Sequence, residues 1–141
     1  MHAIDDNRNN SVIKANLATI EAHFHSEALN EVEKACDLYT DDIVWEAPAR
    51  NILLRNKQDV IENYRKMFAS VEDVEFRTLQ RFATEDRVVD DSIARFKVIG
   101  SKSVPAPIGS QLEMRLVHIF EMREAKISRE TAFEIWKVVQ G

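Results

Sequence analysis

The spacing of apolar residues changes near Ser70 and divides the chain into two parts. Before Ser70, apolar side chains recur every three or four positions, which is the period of one helix face. After Ser70 they alternate with polar side chains, which is the period of a half-buried β-strand. Helices followed by a run of strands are typical of an α+β domain. We therefore predict a single α+β domain over residues 11–141.

Three helices are predicted in the first part. Ser11, Asn30 and Asn56 can each cap one of them, since their side chains accept hydrogen bonds from free backbone N–H groups. The apolar faces of the first and third helices consist of Ile13, Leu17, Ile20 and Phe24, and of Val60, Tyr64, Met67 and Phe68. Residues 1–10 are polar and acidic, and we expect them to form a disordered N-terminal segment.

The strand pattern predicts an antiparallel sheet. A short strand at Trp45 ends before Pro48, and alternating residues then predict long strands over 74–82, 87–99, 112–122 and 126–139. Short turns join most of the long strands, and short connections favour antiparallel neighbours. We expect the sheet to curve around the three helices, with its far face either solvated or forming a homodimer interface.

His118 lies in the middle of an apolar row. The row consists of Leu112, Met114, Leu116, His118, Phe120 and Met122, which alternate and therefore share one face of a strand. An imidazole beside an apolar cavity can exchange a proton near neutral pH. A histidine in such a row can also be a core residue that makes one hydrogen bond. The strand pattern leaves both interpretations open and favours the core residue.

The composition argues against several kinds of partner. The net charge is −5 at pH 7 and no cluster of Lys and Arg forms a stripe, so we expect no nucleic-acid binding. No run of about 18 apolar residues is present, and we expect no membrane partner. The four histidines and Cys36 lack metal-ligand spacing, so we expect no metal. A single cysteine forms no internal disulfide and suits a cytoplasmic location.

Several short segments follow one another in a familiar order. Residues 38–48 read LYTDDIVWEAP, residues 54–64 read LRNKQDVIENY, and residues 126–130 read KISRE. Between them, a PIG triplet at 107–109 precedes VHIF at 117–120. In this order and spacing the segments resemble SnoaL-like proteins of the nuclear-transport-factor-like superfamily, which also includes ketosteroid isomerases, polyketide cyclases and limonene-epoxide hydrolases.

The resemblance covers residues 12–136 and implies a cone-shaped fold. In such a fold the helices and the concave sheet enclose one apolar pocket, where small hydrophobic molecules bind and a few polar groups carry out acid–base chemistry. That chemistry needs neither a metal nor an organic cofactor. The ligand contacts that we expect are Trp45, Ala47, Tyr64, Met67, Phe68, Met114, Phe120 and His23.

The resemblance also suggests positions for acid–base groups. In ketosteroid isomerases the general base is an Asp directly before the Pro that ends the first strand, and here that position is Ala47. Glu46 is adjacent, but strand alternation points it away from the pocket, so this isomerase chemistry is disfavoured. The same isomerases form an oxyanion hole with an acid on the penultimate strand and a tyrosine of the first helix. The position of that acid corresponds to His118. The tyrosine of the first helix corresponds approximately to His23, which is either a pocket imidazole or a residue on the helix flank.

Two carboxylates complete the candidates. SnoaL-like cyclases place an acid on the last strand, where Glu134 is our candidate and Glu130 shares its face; a solvated charge row is the alternative for both. Asp90 belongs to an apolar row, so it lies near the open end of the sheet or acts as a functional acid. The Asp–Arg–Asp set of the epoxide hydrolases is not assembled, because Asp90 and Arg95 point to opposite faces.

These observations predict a protein with a pocket for a small hydrophobic molecule, centred on Trp45, Met67, Phe68, Asp90, Met114 and His118. If it is an enzyme, His118, Asp90 and Glu134 are the candidate catalytic residues of an isomerase, cyclase or hydratase that acts on a small hydrophobic carbonyl compound. A non-catalytic carrier or sensor of a small apolar ligand is the alternative. A third possibility is a structural module in which the sheet dimerises and side chains fill the pocket.

Overall fold

The computed structural model describes residues 3–100, 104 and 106–140. The helices are α1 (Ala3–Ala28), α2 (Val32–Cys36) and α3 (Lys57–Ala69), and a 3-10 turn spans Pro48–Arg50. The strands are β1 (Tyr39–Ala47), β2 (Ile52–Leu54), β3 (Val71–Ala83), β4 (Arg87–Val98), β5 (Gln111–Arg123) and β6 (Lys126–Gln140). The predicted α+β fold, with three helices and a cone-like curved sheet, is confirmed.

The six strands form one open sheet in the order β2-β1-β6-β5-β4-β3. Every neighbouring pair is antiparallel except β1 and β6, which run parallel, so the sheet is mixed where we predicted an antiparallel one. The difference follows from the connections. Short turns join β3 to β4 and β5 to β6 and favour antiparallel neighbours, whereas the long stretch of chain between β1 and β6 allows either direction.

The helix ends differ from the prediction in two places. Helix α1 begins at Ala3, so residues 3–10, which we expected to be disordered, are helical; no Gly or Pro interrupts them. Met1 and His2 lie outside the described residues. Asn30 does not cap a second helix. Its φ of 58° places it in the left-handed region, and its N–H donates to the Glu27 carbonyl, which ends α1.

The third helix begins as predicted. Asn56 has an extended backbone, and its side-chain oxygen accepts a hydrogen bond of 2.9 Å from the backbone N–H of Asp59. Val60, Tyr64 and Phe68 then lie one helical turn apart and are buried against the sheet. The cap therefore sets the phase of the helix and directs the Tyr64 ring into the interior.

The inner face of the sheet carries the core. On β5 the buried residues are the predicted alternate set, with Leu112, Leu116 and Phe120 at 5% exposure or less. The strand pairing places His118 opposite Asp90 on β4 and opposite Ala132 on β6, so these residues share the inner face. The concave face of β4 to β6 and helix α3 together surround the space described below.

A β-bulge in β3 changes which side chains face inward. The register with β4 shifts between Thr78 and Gln80, so one extra residue reverses the alternation. Strict alternation from Val74 would put Arg81 on the outer face and Phe82 on the inner face. With the bulge, Arg81 turns inward and is paired with Asp90, and Phe82 is 56% exposed.

Candidate functional site

A cavity of about 50 Å³ lies between α3 and the inner face of the sheet. This is room for a few water molecules or the reactive end of a small organic molecule. Its walls are mainly apolar and include the aromatic side chains of Trp45, Tyr64, Phe68, Phe76, Phe96 and Trp136. Met67 and Met114 also line it, and the polar side chains that reach it are Glu27, Arg50, His118 and Glu134. Of the predicted site residues, seven therefore border this cavity.

Glu130, from β6, lies behind the cavity wall and is 1% exposed. The Tyr39 hydroxyl donates to its Oε1 at 2.7 Å, and the Tyr64 hydroxyl donates to its Oε2 at 3.1 Å. The Nε2 atoms of two imidazoles face the same carboxylate, at 3.4 Å for His23 and 3.6 Å for His118. Glu130 thus joins α1, β1, α3 and β5 through one side chain.

From the sequence we named Glu130 beside Glu134 but chose Glu134 as the candidate, with a solvated charge row as the alternative for both, because both faces of β6 carry polar residues. The available signal was its place in the row Glu130, Ala132, Glu134, which shares one face. The pairing of Glu130 with Phe120 shows which face that is, since Phe120 is fully buried. Only the register between the two strands could therefore identify it.

His23, from α1, is a buried cation between two carboxylates. Its Nδ1–H donates to the Ala35 carbonyl at 2.9 Å, and its Nε2 lies 3.1 Å from Oε1 of Glu27. Burial by itself lowers the pKa of His23, but the charge of Glu27 and the hydrogen bonds with Glu130 and Glu27 outweigh it and raise the pKa well above normal. His23 is therefore an imidazolium at neutral pH.

The pKa of Glu130 shifts in the opposite direction. Burial raises it, but above all the hydrogen bond and charge of His23, with a further hydrogen bond from the Tyr39 hydroxyl, bring it down to about 2. Burial and the nearby charge of Glu130 raise the pKa of Tyr39 and Tyr64 well above the usual value of a phenol. At neutral pH the cluster therefore holds an ionised carboxylate, an imidazolium and two neutral phenols.

His118 is the imidazole that borders the cavity. Its side chain is 8% exposed, and its ring packs at 5.3 Å between ring centres against both Phe24 and Phe120. Its Nε2 faces Glu130, whereas its Nδ1 has no hydrogen-bond partner among the described residues. A carboxylate beside one ring nitrogen favours the tautomer protonated there. The other nitrogen, Nδ1, is then left with a lone pair for a ligand.

An ion pair forms another part of the wall. The Arg50 guanidinium donates to Glu134 through Nε and Nη2, both at 2.8 Å, and Trp136 Nε1 donates to the same carboxylate at 3.1 Å. The guanidinium also lies 5.9 Å from the centre of the Trp45 ring. We had expected Glu134 at the pocket but had not singled out Arg50, which reaches it from the turn after Pro48.

The structure does not bring Asp90 to the cavity. Asp90 is fully buried, but Oδ1 accepts a hydrogen bond of 2.7 Å from Arg81 Nε and Oδ2 accepts one of 2.6 Å from the Ser92 hydroxyl. From the sequence we expected Asp90 either near the open end of the sheet or as a functional acid. The bulge in β3 supplies the partner, so Asp90 belongs to a buried ion pair and not to the acid–base groups of the cavity.

Three expected ligand contacts are buried beside the cavity without lining it. Ala47 and Phe120 are fully buried in the core, and His23 lies behind the wall in contact with Glu130. Glu46 points away from the cavity, as predicted, and accepts a hydrogen bond of 2.7 Å from Arg129 on the other face. In the part of the chain that the structure describes, no three His, Cys, Asp or Glu side chains are grouped to hold a metal ion.

Comparison with known proteins places the chain in a family. Residues 16–130 match the SnoaL-like domain. Among curated proteins, none matches the chain. Within the described ranges, no helix is long and apolar enough to cross a membrane.

Solved structures share the fold at low sequence identity. An LEH-like epoxide hydrolase from M. tuberculosis is 14% identical, with a TM-score of 0.70 over 87% of this chain and 84% of that one. A protein with a ketosteroid isomerase-like fold from Catenulispora acidiphila, in complex with trimethylamine, is 13% identical, with a TM-score of 0.65 over 81% and 82%. A candidate polyketide cyclase from Xanthomonas campestris is 12% identical, with a TM-score of 0.70 over 86% and 91%.

These similarities agree with the resemblance noted in the sequence. The match covers most of the chain, including the first helix, the Trp45 strand and the KISRE turn. The predicted family is therefore confirmed, and the chain belongs to the SnoaL-like domain family.

Proposed function

We propose that the protein is a cofactor-independent acid–base catalyst that isomerises, cyclises or hydrates a small hydrophobic carbonyl compound. One observation carries the proposal: His118 borders an apolar cavity with a buried, unpartnered Nδ1, while Glu130 faces its other nitrogen. A buried nitrogen without a partner costs free energy, which a ligand's hydrogen bond would recover.

The chemistry that fits this geometry is proton transfer at a carbon next to a carbonyl group. His118 Nδ1 would take the proton, and the imidazolium so formed would face the ionised Glu130 carboxylate. The same nitrogen would then return the proton to another atom of the enolate or to its oxygen. Positioned proton transfer of this kind accelerates reactions by about 10² to 10⁴-fold. The apolar walls would exclude water and strengthen the interaction between the two charges.

Exchange of ketone protons with solvent tests this step without knowledge of the natural substrate. We expect the protein in D₂O to catalyse deuterium incorporation next to the carbonyl of a small ketone such as 2-pentanone, measured by NMR. His118→Gln keeps the size and polarity but cannot act as a base, so the catalysed rate should fall by about 10² to 10⁴-fold.

The matched control is His25→Gln. His25 lies two residues from His23 on α1 but is exposed and does not line the cavity, so the exchange rate should stay at the wild-type value. Thermal unfolding of each variant checks that the fold is intact. Exchange by a folded His118→Gln variant at the wild-type rate would show that His118 is not the base.

One observation favours a carrier or sensor instead. Ala47 occupies the position at which ketosteroid isomerases have their general base, and it is fully buried and carries no acid. A carrier would bind small apolar molecules saturably and catalyse no exchange with or without the His118 change. The free and buried Cys36 is in keeping with a cytoplasmic location for either function, since thiols stay reduced there.

A further inference from the structure

The inner row of β6 places polar groups on both sides of Ala132. Ala132 is opposite His118, and Glu134 is opposite Leu116 on the same face. His118 and Glu134 are therefore diagonal neighbours across the two strands, with Cα atoms roughly 7 Å apart. Both side chains line the cavity, and Glu134 is paired with the Arg50 guanidinium. A ligand that lies over Ala132 thus has the imidazole at one end and the ion pair at the other.

Arg50 has more hydrogen-bond donors than its contacts with Glu134 use. A guanidinium carries five N–H donors, and the described contacts with Glu134 use two of them. Both oxygens of Glu134 are taken, since Oε1 also accepts from Trp136 Nε1. Glu134 therefore holds the guanidinium in place, and the remaining donors of Arg50 are free to meet a ligand. The side chain of Arg50 is 18% exposed, so it is largely shielded from bulk water.

A buried Arg–Glu pair is poorly explained by stability alone. Glu134 is 3% exposed and Arg50 18%, so the pair carries a desolvation penalty, and apolar replacements of similar volume are often neutral or stabilising. A role in binding would explain the pair, because the planar donors of a guanidinium match the oxygens of a ligand carboxylate. Glu134 then acts as a positioning residue for Arg50.

We infer that Arg50 is the specificity-determining residue of this cavity and that the ligand is a small keto acid. Its carbonyl oxygen or the adjacent carbon lies at His118, and its carboxylate lies at Arg50. This inference rests on the proposed function only in taking the carbonyl end to lie at His118. The cavity volume of about 50 Å³ favours a short chain between the two groups.

The two tryptophans of the chain report on ligands in the cavity. Trp136 Nε1 donates to Glu134, so its indole N–H signal in an NMR spectrum reports on the ion pair. Trp45 Nε1 donates to the Tyr64 hydroxyl and its ring lies beside the Arg50 guanidinium, so its signal reports on the cavity between them. We expect 4-oxopentanoate, which has a ketone and a carboxylate, to bind at least about tenfold more tightly than 2-pentanone, which has the ketone alone. The indole signals of Trp45 and Trp136 should both shift with the keto acid.

The variants test the role of the guanidinium. In Arg50→Met/Glu134→Gln both charges are absent, so neither is left unpaired, and the affinity ratio of the two compounds should fall to about one. Arg50→Lys is the second variant, for the case in which the double variant does not fold. It keeps the charge but loses the planar donors, so it should give an intermediate affinity ratio. Arg123→Gln removes an exposed arginine on a distant turn and should keep the wild-type ratio.

The outcomes separate this inference from the proposed function. Equal affinities in the wild-type protein, or a preference for the keto acid that survives in Arg50→Met/Glu134→Gln, would overturn the inference. Deuterium exchange into 2-pentanone that depends on His118 would in that case still support the proposed function. A preference that depends on Arg50, without any exchange, would support the anion site and overturn the catalytic role of His118. If neither compound shifts either indole signal, both proposals fail.

Discussion

Four polar side chains of the interior surround the buried carboxylate of Glu130. Tyr39 and Tyr64 donate hydrogen bonds to it, and the imidazoles of His23 and His118 face it from two other elements. Such a cluster is expensive to bury and adds little stability compared with apolar packing. Its position directly behind the cavity wall gives it a second role, since the carboxylate faces one ring nitrogen of the imidazole that meets the ligand and thereby favours one tautomer.

Two groups of this cluster, His23 and Glu130, contribute to the pH dependence of stability between acid and neutral pH. The raised pKa of His23 stabilises the fold fully below pH 6.5, the value in an unfolded chain, and this contribution is lost as the pH rises towards the folded pKa. The lowered pKa of Glu130 acts in the opposite sense. Its contribution is complete above about pH 4.3 and is lost as the pH falls towards about 2. The free energy of unfolding should therefore be highest between about pH 4.5 and 6.5.

We expect the free energy of unfolding to fall above pH 6.5 by up to about 1.4 kcal/mol per pH unit for the proton on His23. Urea denaturation between about pH 6 and 9 measures this slope. His23→Gln should be less stable at pH 6, because Glu27 and Glu130 lose the cation between them, and its slope should be smaller. His25→Gln should keep the wild-type slope. An unchanged slope in His23→Gln would assign the dependence to other groups.

At the scale of the elements, the bulge in β3 determines a buried contact. It turns Arg81 inward, where the guanidinium meets the fully buried Asp90 carboxylate at 2.7 Å. Removing one member of such a pair leaves a buried charge without compensation, which costs about 3–5 kcal/mol. Arg81→Met should therefore destabilise the protein by about that amount, measured by chemical denaturation.

Two variants test this explanation. Arg81→Met/Asp90→Asn has no charge to compensate and should recover much of the loss, although each change alone is destabilising. Arg95→Met breaks an exposed pair with Glu113 on the other face and should cost less than about 1 kcal/mol. A double variant as unstable as Arg81→Met would mean that the loss comes from packing and not from the unpaired carboxylate.

The elements that could be predicted are those set by local pattern. Alternation located β4 and β5 to within about two residues, and the cap at Asn56 located α3, because short stretches of sequence determine both features. The bulge could not be predicted, because the sequence of β3 does not show where one extra residue interrupts its pairing with β4. The partner of Arg50 could not be predicted either. Glu134 is 84 positions away, and only the packed fold brings the two together.

At the scale of the whole molecule, the outer face of the sheet is more apolar than a solvated surface requires. Phe133 and Ile135 on β6 are 44% and 70% exposed, and Ile119 on β5 is 38% exposed. Charged residues of both signs, including the ion pair of Asp91 with Arg115, lie on the same face. A surface with apolar residues and charges of both signs can be complementary to itself, as a two-fold interface requires.

We therefore expect the protein to be a homodimer that pairs through this face of the sheet. Phe133→Lys would place a charge on the contact surface of each copy, and burying these charges would disfavour the pairing. Light scattering after gel filtration should then give the dimer mass for the wild-type protein and the monomer mass for the variant. Ile108→Lys is the matched control, because Ile108 is 64% exposed but lies in a loop away from the sheet, and it should stay dimeric. A wild-type protein that is monomeric at high concentration would show that this face is solvated, and a dimer that survives Phe133→Lys would place the interface on another surface.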